Sequence, residues 1–431
     1  MHSRPDPALR AVALPAVARA MVAKLQRLRA HPILNPAAFE ESWRERAGHA
    51  VDLDHRPHLV AAVDWLARAQ DAAAQGAGDE KGKGGVARGY SLAWSPMCGS
   101  CAWQPPVPGG AGEIIPVLYS ASRHLRRSAL ADRAEYAALW ELDLQLPSGA
   151  MRASWTERPA PSVANTGQAL LDWLAAFRET GAGIFAGAAR RAAWFLLATL
   201  GEDGVWRQGR IQDASRHAAL FDARAAWALA EAGRRLRAPE CRAAAARALR
   251  AVARQQHENG WLPECSGSGR QGALAGTVAD TIRGLLETGR VLEDEDLIAR
   301  AARAAERAAL AMDPAGRFPG SLASDWRPAA SWGCLSGTAQ MATIWLRLFE
   351  TTREIRWLEP VDTALRFLKS TQNRVSTDPG VHGGIKAAYP LGAEHGAYQL
   401  LVSGTAGFAD ALLRDERRRA GIAPMVATEA A

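Results

Sequence analysis

In the segment AGTVADTIRGLLETG, Asp280 stands three residues before Arg283. A carboxylate one turn into an enveloped helix, near the positive end of the helix dipole, is placed to accept a proton or to stabilise positive charge on a substrate. The plainer alternative is an Asp280–Arg283 ion pair that tidies packing. In IQDASRHAALFDARAAW, Asp213 and His217 are four residues apart and share a helix face. There a carboxylate can orient an imidazole for acid/base work, unless the pair is only a capping Asp with an exposed His. Glu258 and Glu264 flank Trp261 in HENGWLPE. Two carboxyl groups about 5 to 10 Å apart can cleave a glycosidic bond, whereas separate loop acids are merely solvated. VHGGIKAAYP gathers His382, Lys386 and Tyr389 around Gly383 and Gly384. Such a set can bind a sugar carboxylate and exchange a ring proton, the chemistry of an epimerase or lyase, or it can simply close a turn.

These residues need elements to hold them, and the chain supplies a repeat. Six apolar-periodic helices each run into a loop rich in glycine and usually an aromatic, as in AAWFLLATLGEDGVW and ALRAVARQQHENGW. The later ones recur roughly every 50 to 60 residues, within the range of helical repeats. Between them lie six helices that open with small or polar residues, at Gly112, Asn165, Ser215, Gly276, Ser336 and Ser403. Twelve helices in six hairpins can close into an all-α, (α/α)6 toroid with an outer and an inner ring, each burying what no hairpin buries alone. The inner N-terminal turns then open onto a central cavity. The competing architecture is an open solenoid in which Ser and Thr serve only as caps. In the toroid, Tyr90, Asn165, Gln168, Arg283, Gln340, His382, Lys386 and Tyr389 are the expected substrate-binding residues, and Asn165, Gln168, His217, Asp280, Gln340 and Tyr389 should converge on one pocket. Trp261 and Trp332 adjoin polar clusters and offer flat apolar faces of the kind that stack on a sugar ring. The expected layout is an N-terminal helical extension over residues 1–50, the toroid over 51–416 and a disordered tail over 417–431.

The runs HLVAAVDWLARAQD, GGVARGYSLAW, GEIIPVLYSA, NTGQALLDWL, CLSGTAQMATIWLRL and HGGIKAAYPLG resemble a bacterial family of α/α toroids associated with surface-polysaccharide biosynthesis, over residues 58 to 416. The resemblance implies a fold similar to the six-hairpin glycosidases and the terpene-cyclase and prenyltransferase toroids, and glycan processing of hydrolase, lyase or epimerase type. The chain departs from that family where YPETTGY is usual and VPGGAGE stands here, with Gly109 at the acid and Glu113 at the tyrosine. It departs again where THTIAY is usual and AGTVAD stands, with Gly276 at the histidine and Asp280 at the tyrosine. These losses point to a changed substrate or to a catalytically inactive glycan-binding or scaffold relative. A third reading, a zinc-dependent or terpene-type cyclase, rests on WGC at Trp332 to Cys334 followed by HGG at His382. That pattern resembles the zinc site of lanthionine cyclases, but Val381 stands at the third ligand. No DxDD motif supports the terpene branch.

Composition narrows the partners. The formal charge is +7, and 47 of the 52 basic residues are arginine in an alanine-rich chain. That is the signature of arginines on solvated helix faces, not of the clustered Lys/Arg with interleaved aromatics that nucleic acid requires. The expected partner is a carbohydrate or sugar-linked small molecule, with polysaccharide-pathway enzymes as protein partners. Arg10, Arg19 and Lys24 break every apolar run of the N-terminus, and no later run could span a membrane. Five cysteines, an odd number, suit a reducing cytoplasm. The CxxC of Cys98 and Cys101 has no second half, so neither metal nor cofactor is expected.

Overall fold

The computed structural model describes residue 25 and residues 34–47, 51–77, 84–95, 98, 101–109, 114–155, 159–207, 222–263 and 272–421. Thirteen α-helices dominate them. Helix α1 (Pro36–Ala47) precedes the ring. The outer helices are α2 (His55–Ala77), α4 (Ala129–Leu144), α6 (Gly183–Thr199), α8 (Pro239–Ala253), α10 (Glu295–Ala311) and α12 (Leu358–Thr371). The inner ones are α3 (Ile114–Leu125), α5 (Val163–Thr180), α7 (Ala223–Arg235), α9 (Ala275–Leu292), α11 (Leu335–Thr352) and α13 (Val402–Arg419). Each inner helix packs on the outer helix that follows it, and α13, the last, packs on α2, the first. The inner helices also touch in sequence from α3 to α13, and α13 returns to α3. The expected toroid boundary at residue 416 therefore falls inside α13, which continues to Arg419.

Six glycines stand at the joints between successive hairpins, the last of them at the closure of the ring. Gly84, Gly149, Gly204, Gly260, Gly316 and Gly383 each follow an outer helix, and all have φ between +82° and +109°. Side chains rarely tolerate that region. A Cβ on most of them would also strike the next outer helix: Gly84 faces the carbonyl of Tyr136, Gly149 that of Arg191, Gly204 that of Arg247 and Gly316 that of Thr363, while one on Gly260 would press against Arg303 at 3.2 Å. The sixth, Gly383, lies against Ala61 in the first outer helix. Glutamines reinforce four of these joints. The side-chain amides of Gln70, Gln145, Gln256 and Gln372 each donate to the carbonyl of the joint's glycine and to a carbonyl of the next outer helix.

The seam is sewn by residues far apart in the chain. Strand β1 (Gly89–Ser91) pairs antiparallel with β2 (Ala102–Trp103) and with a strand at Gln399–Leu401 just before α13. Nε2 of His55 meets Asp415 at 2.8 Å, and the Trp65 indole donates to the Gly380 carbonyl at 2.7 Å.

Inside the ring, small residues set the spacing. A Cβ on Gly167 would meet Ala225 at 2.7 Å, and one on Gly284 would meet Ala223 at 2.6 Å, so α5 and α9 both sit close on α7. Threonines at the inner-helix openings bond sideways and do not point to the axis. Thr166, Thr338 and Thr405 each donate to a carbonyl four residues back and accept from a backbone N–H of the preceding loop, at Met151, Phe318 and Ile385. No described helix is long and apolar enough to cross a membrane.

Candidate active site in the axial cavity

A cavity of about 930 Å³ runs along the ring axis, lined mainly by the middle and C-terminal parts of the inner helices. Its polar side chains stand in tiers three or four residues apart, the spacing at which one helix face recurs. At its N-terminal end the cavity reaches Gln168, which shares a level with Asp280 and Gln340 just beyond the lining, each the sixth residue of its helix. Arg224 joins them from α7, donating to Gln168 Oε1 and forming an ion pair with Asp280. The Gln168 amide in turn donates to both carboxylate oxygens of Asp172, at 3.2 and 3.1 Å. Oε1 of Gln340 is buried without a hydrogen-bond partner.

Beneath this tier Arg283 lies over the Trp227 ring, 5.2 Å from its centroid, and pairs with Asp410 at 3.5 Å. The next tier is a continuous ionic circuit. Arg347 grips Glu287 with two bonds of 2.7 Å and Glu350 with a third of 2.7 Å, while Arg290 adds 2.9 Å to Glu287. Arg414 links Asp410 at 3.0 Å to Glu350 at 4.0 Å. Burial alone would raise the Glu287 carboxyl, yet Arg347 and its neighbours hold it far below the usual range. Behind Asp172, Glu141 of α4 is fully buried, and both its oxygens lack partners. Burial first, and Asp172 second, push its pKa well above the ordinary value.

The expected site residues divide in three. Gln168 and Arg283 line the cavity, and Asp280 is tied to Gln168 through Arg224. Asp280 pairs with Arg224, and Arg283 with Asp410, because α7 and α13 bring those partners across the ring. Asn165 sits at the rim, its amide donating to the carbonyls of Pro108 and Arg152 at 3.1 and 3.0 Å. A second set lies in joints and the seam. Lys386 is buried between Glu41 and Glu45 of α1, at 3.0 Å from each. His382 Nδ1 meets the Ser376 carbonyl at 3.2 Å, and Tyr389 packs edge-on against Phe367. Tyr90 donates to Asp378 at 3.3 Å in a separate surface groove, and burial raises its phenol. None of these four lines the axial cavity. Trp261 is buried in its glycine joint against Trp326, Trp332 lies buried against His395, and Glu258 is exposed at the tip of the Gly260 turn. The third set, Asp213, His217 and Glu264, falls outside the described residues, as do Glu113 and Cys265.

Arg224, Glu287, Arg347, Asp410 and Arg414 were not singled out from the sequence. Their signal is charge at helical spacing on helices already expected to be enveloped: Arg283, Glu287 and Arg290 on α9, and Asp410, Arg414 and Arg417 on α13. Cys334 is also explained. Its buried sulfur accepts from the Gly337 N–H and caps α11. Among the described residues no three His, Cys, Asp or Glu gather as a metal site.

No protein-family model and no curated protein matches the sequence. Solved structures do. An unsaturated glucuronyl hydrolase specific for heparin superposes with a TM-score of 0.64 at 18% identity, over 86% of this chain and 98% of its own. Cellobiose 2-epimerase from Bacillus thermoamylovorans gives 0.64 at 10% identity, over 84% and 98%. A D-mannose isomerase gives 0.61 at 13% identity, over 85% and 100%. The chain has the six-hairpin toroid fold of these sugar-active enzymes. At such identities the likeness speaks for the fold, and this toroid's chemistry has to be argued from its own axial tiers.

Proposed function

We propose that this toroid is a carbohydrate-processing enzyme of hydrolase, lyase or epimerase type, acting on a surface-polysaccharide intermediate in the cytoplasm. The observation that carries the proposal is the tier of Gln168, Arg224, Asp280 and Gln340, in which Arg224 joins Asp280 to Gln168, where the tier meets an axial cavity large enough for a sugar. In this reading Asp280 is the catalytic carboxylate, acting as a base or stabilising positive charge on the ring. Arg224 orients Asp280, and Gln168 and Gln340 bind hydroxyls. Asp213, His217 and Glu264 remain candidates for the second acid/base group.

Screening the protein against unsaturated uronyl disaccharides, cellobiose, mannose and lipid-linked or nucleotide-linked polysaccharide precursors tests the proposal. Asp280→Asn should lower turnover about a hundredfold or more, equivalent to about 2.7 kcal/mol of barrier, while the Tm moves little. Unchanged turnover would remove Asp280 from the chemistry.

One observation favours a second reading, a glycan-binding toroid without catalysis. Gly109, which stands where the resembling family carries an acid, has φ +73°, and a Cβ there would fall 2.6 Å from the Asn165 side chain. That place has no room for a carboxylate. Saturable change in tryptophan emission without product from any sugar would support binding alone.

A further inference from the structure

The C-terminal end of the cavity differs in charge from everything above it. Among the described lining residues, ten arginines face five carboxylates, and Glu179 and Asp415, just outside the lining, pair with Arg178 and Arg418. Arginine therefore outnumbers carboxylate at this end. The excess concentrates in the last tier, where Arg178, Arg234 and Arg353 come from α5, α7 and the C-cap of α11. All three are exposed, so this end opens to solvent. The salt bridges of Arg178 and Arg234 are to acids one and three residues away on their own helices. Exposed pairs of that kind are weak and easily exchanged for a better anion. Further in, Arg235, Arg290 and Arg417 are all pushed below the ordinary arginine range, chiefly by burial, with a smaller lowering from nearby arginines.

We propose that this end of the cavity is a second binding site, distinct from the Asp280 tier, for a compact ligand carrying two or more adjacent phosphate groups. Guanidinium forks meet phosphate oxygens in pairs of parallel hydrogen bonds, and arginines converging from several helices can share one polyphosphate among them. The carboxylates of the ionic circuit, Glu287 and Glu350, hold Arg290 and Arg347 in place without cancelling the rim. The site does not depend on whether Asp280 is catalytic.

The test is calorimetric titration of the full-length protein with pyrophosphate, with citrate and inorganic phosphate in parallel. Pyrophosphate should bind saturably, more tightly than phosphate or citrate, and weaken as salt is raised. The triple substitution Arg178→Gln, Arg234→Gln and Arg353→Gln, all at exposed positions, should weaken pyrophosphate binding at least about tenfold with an unchanged circular dichroism spectrum. Asp280→Asn should leave it intact. No heat with pyrophosphate, equal affinity for citrate, or undiminished binding in the triple variant would each overturn the proposal. If the triple variant unfolds, the single substitution Arg353→Glu decides by the same criterion.

Discussion

The two ends of the inner ring are built from the same six helices yet hold together by opposite means. Towards the N-termini, glycine and alanine let backbones touch, as Gly167 and Gly284 do against α7, and one arginine, Arg224, stands among otherwise short or amidic polar side chains. Towards the C-termini, the cavity is lined by long arginines and by carboxylates that each serve two guanidinium groups. Close backbone contact fixes the helix spacing, while the ionic circuit occupies the width that this spacing leaves open. A ring of small residues has no group to lose but no room to gain. An ionic ring tolerates space but not the loss of one member.

That contrast can be broken most severely at Glu287. Glu287→Ala leaves the guanidiniums of Arg347 and Arg290 without their shared carboxylate in a buried place, and should cost about 3–5 kcal/mol in chemical denaturation. A loss under about 1 kcal/mol would mean that the circuit re-pairs freely. Gly284→Ala attacks the other end. Its Cβ would sit 2.6 to 2.8 Å from Ala223 atoms, two of them backbone, and overpacking of this kind should cost about 1–3 kcal/mol. If Gly284→Ala proves neutral, the inner helices can slide apart, and the small-residue contacts do not set the spacing.

A third effect concerns Glu141 and depends on pH. Its raised folded pKa means that the native state binds more protons than the unfolded chain above the ordinary carboxyl value of 4.5, so Glu141 costs stability as pH rises from there towards its folded pKa. Glu141→Gln removes that cost. Its advantage over the wild type should be near zero at pH 4 and grow by up to about 1.4 kcal/mol per pH unit until the folded pKa is reached. A constant Tm difference from acid to alkaline pH would show that Glu141 is not buried as a neutral acid.

The alternation of helices was legible because two local signals repeat together, a glycine joint after each outer helix and a polar opening before each inner one. The joint also accounts for Trp261 and Glu258. HENGW is one of six turns that must place a glycine against the next outer helix, so its indole is packing and its acid is a solvated tip. The polar openings were harder to read, because Thr166, Thr338 and Thr405 serve the neighbouring loop and only the sixth residue of α5, α9 and α11 forms the innermost tier. The partner of Asp280 was not legible at all. Choosing Arg224 over Arg283 depends on how α7 is placed between α5 and α9, which the glycine contacts decide. The arginines of the lower tiers resembled the many on solvated faces, and only their spacing on helices expected to be enveloped set them apart.

The seam has a consequence for how the ring comes into being. The contact of His55 with Asp415 spans 360 positions, and that of Trp65 with Gly380 spans 315. Contacts so distant in sequence form only after a large loss of chain entropy and slow the final step. As the chain leaves the ribosome, α2 emerges early with one flank awaiting α13, its partner at the opposite end of the ring. Five joints can form as their helices arrive, but the sixth must wait. Throughout that wait the nascent protein is an unfinished arc, and its exposed edges fit the matching edges of any other arc nearby as well as they fit each other. A joint that recurs six times thus gives the circle its strength and also gives two half-made molecules a way to close on one another.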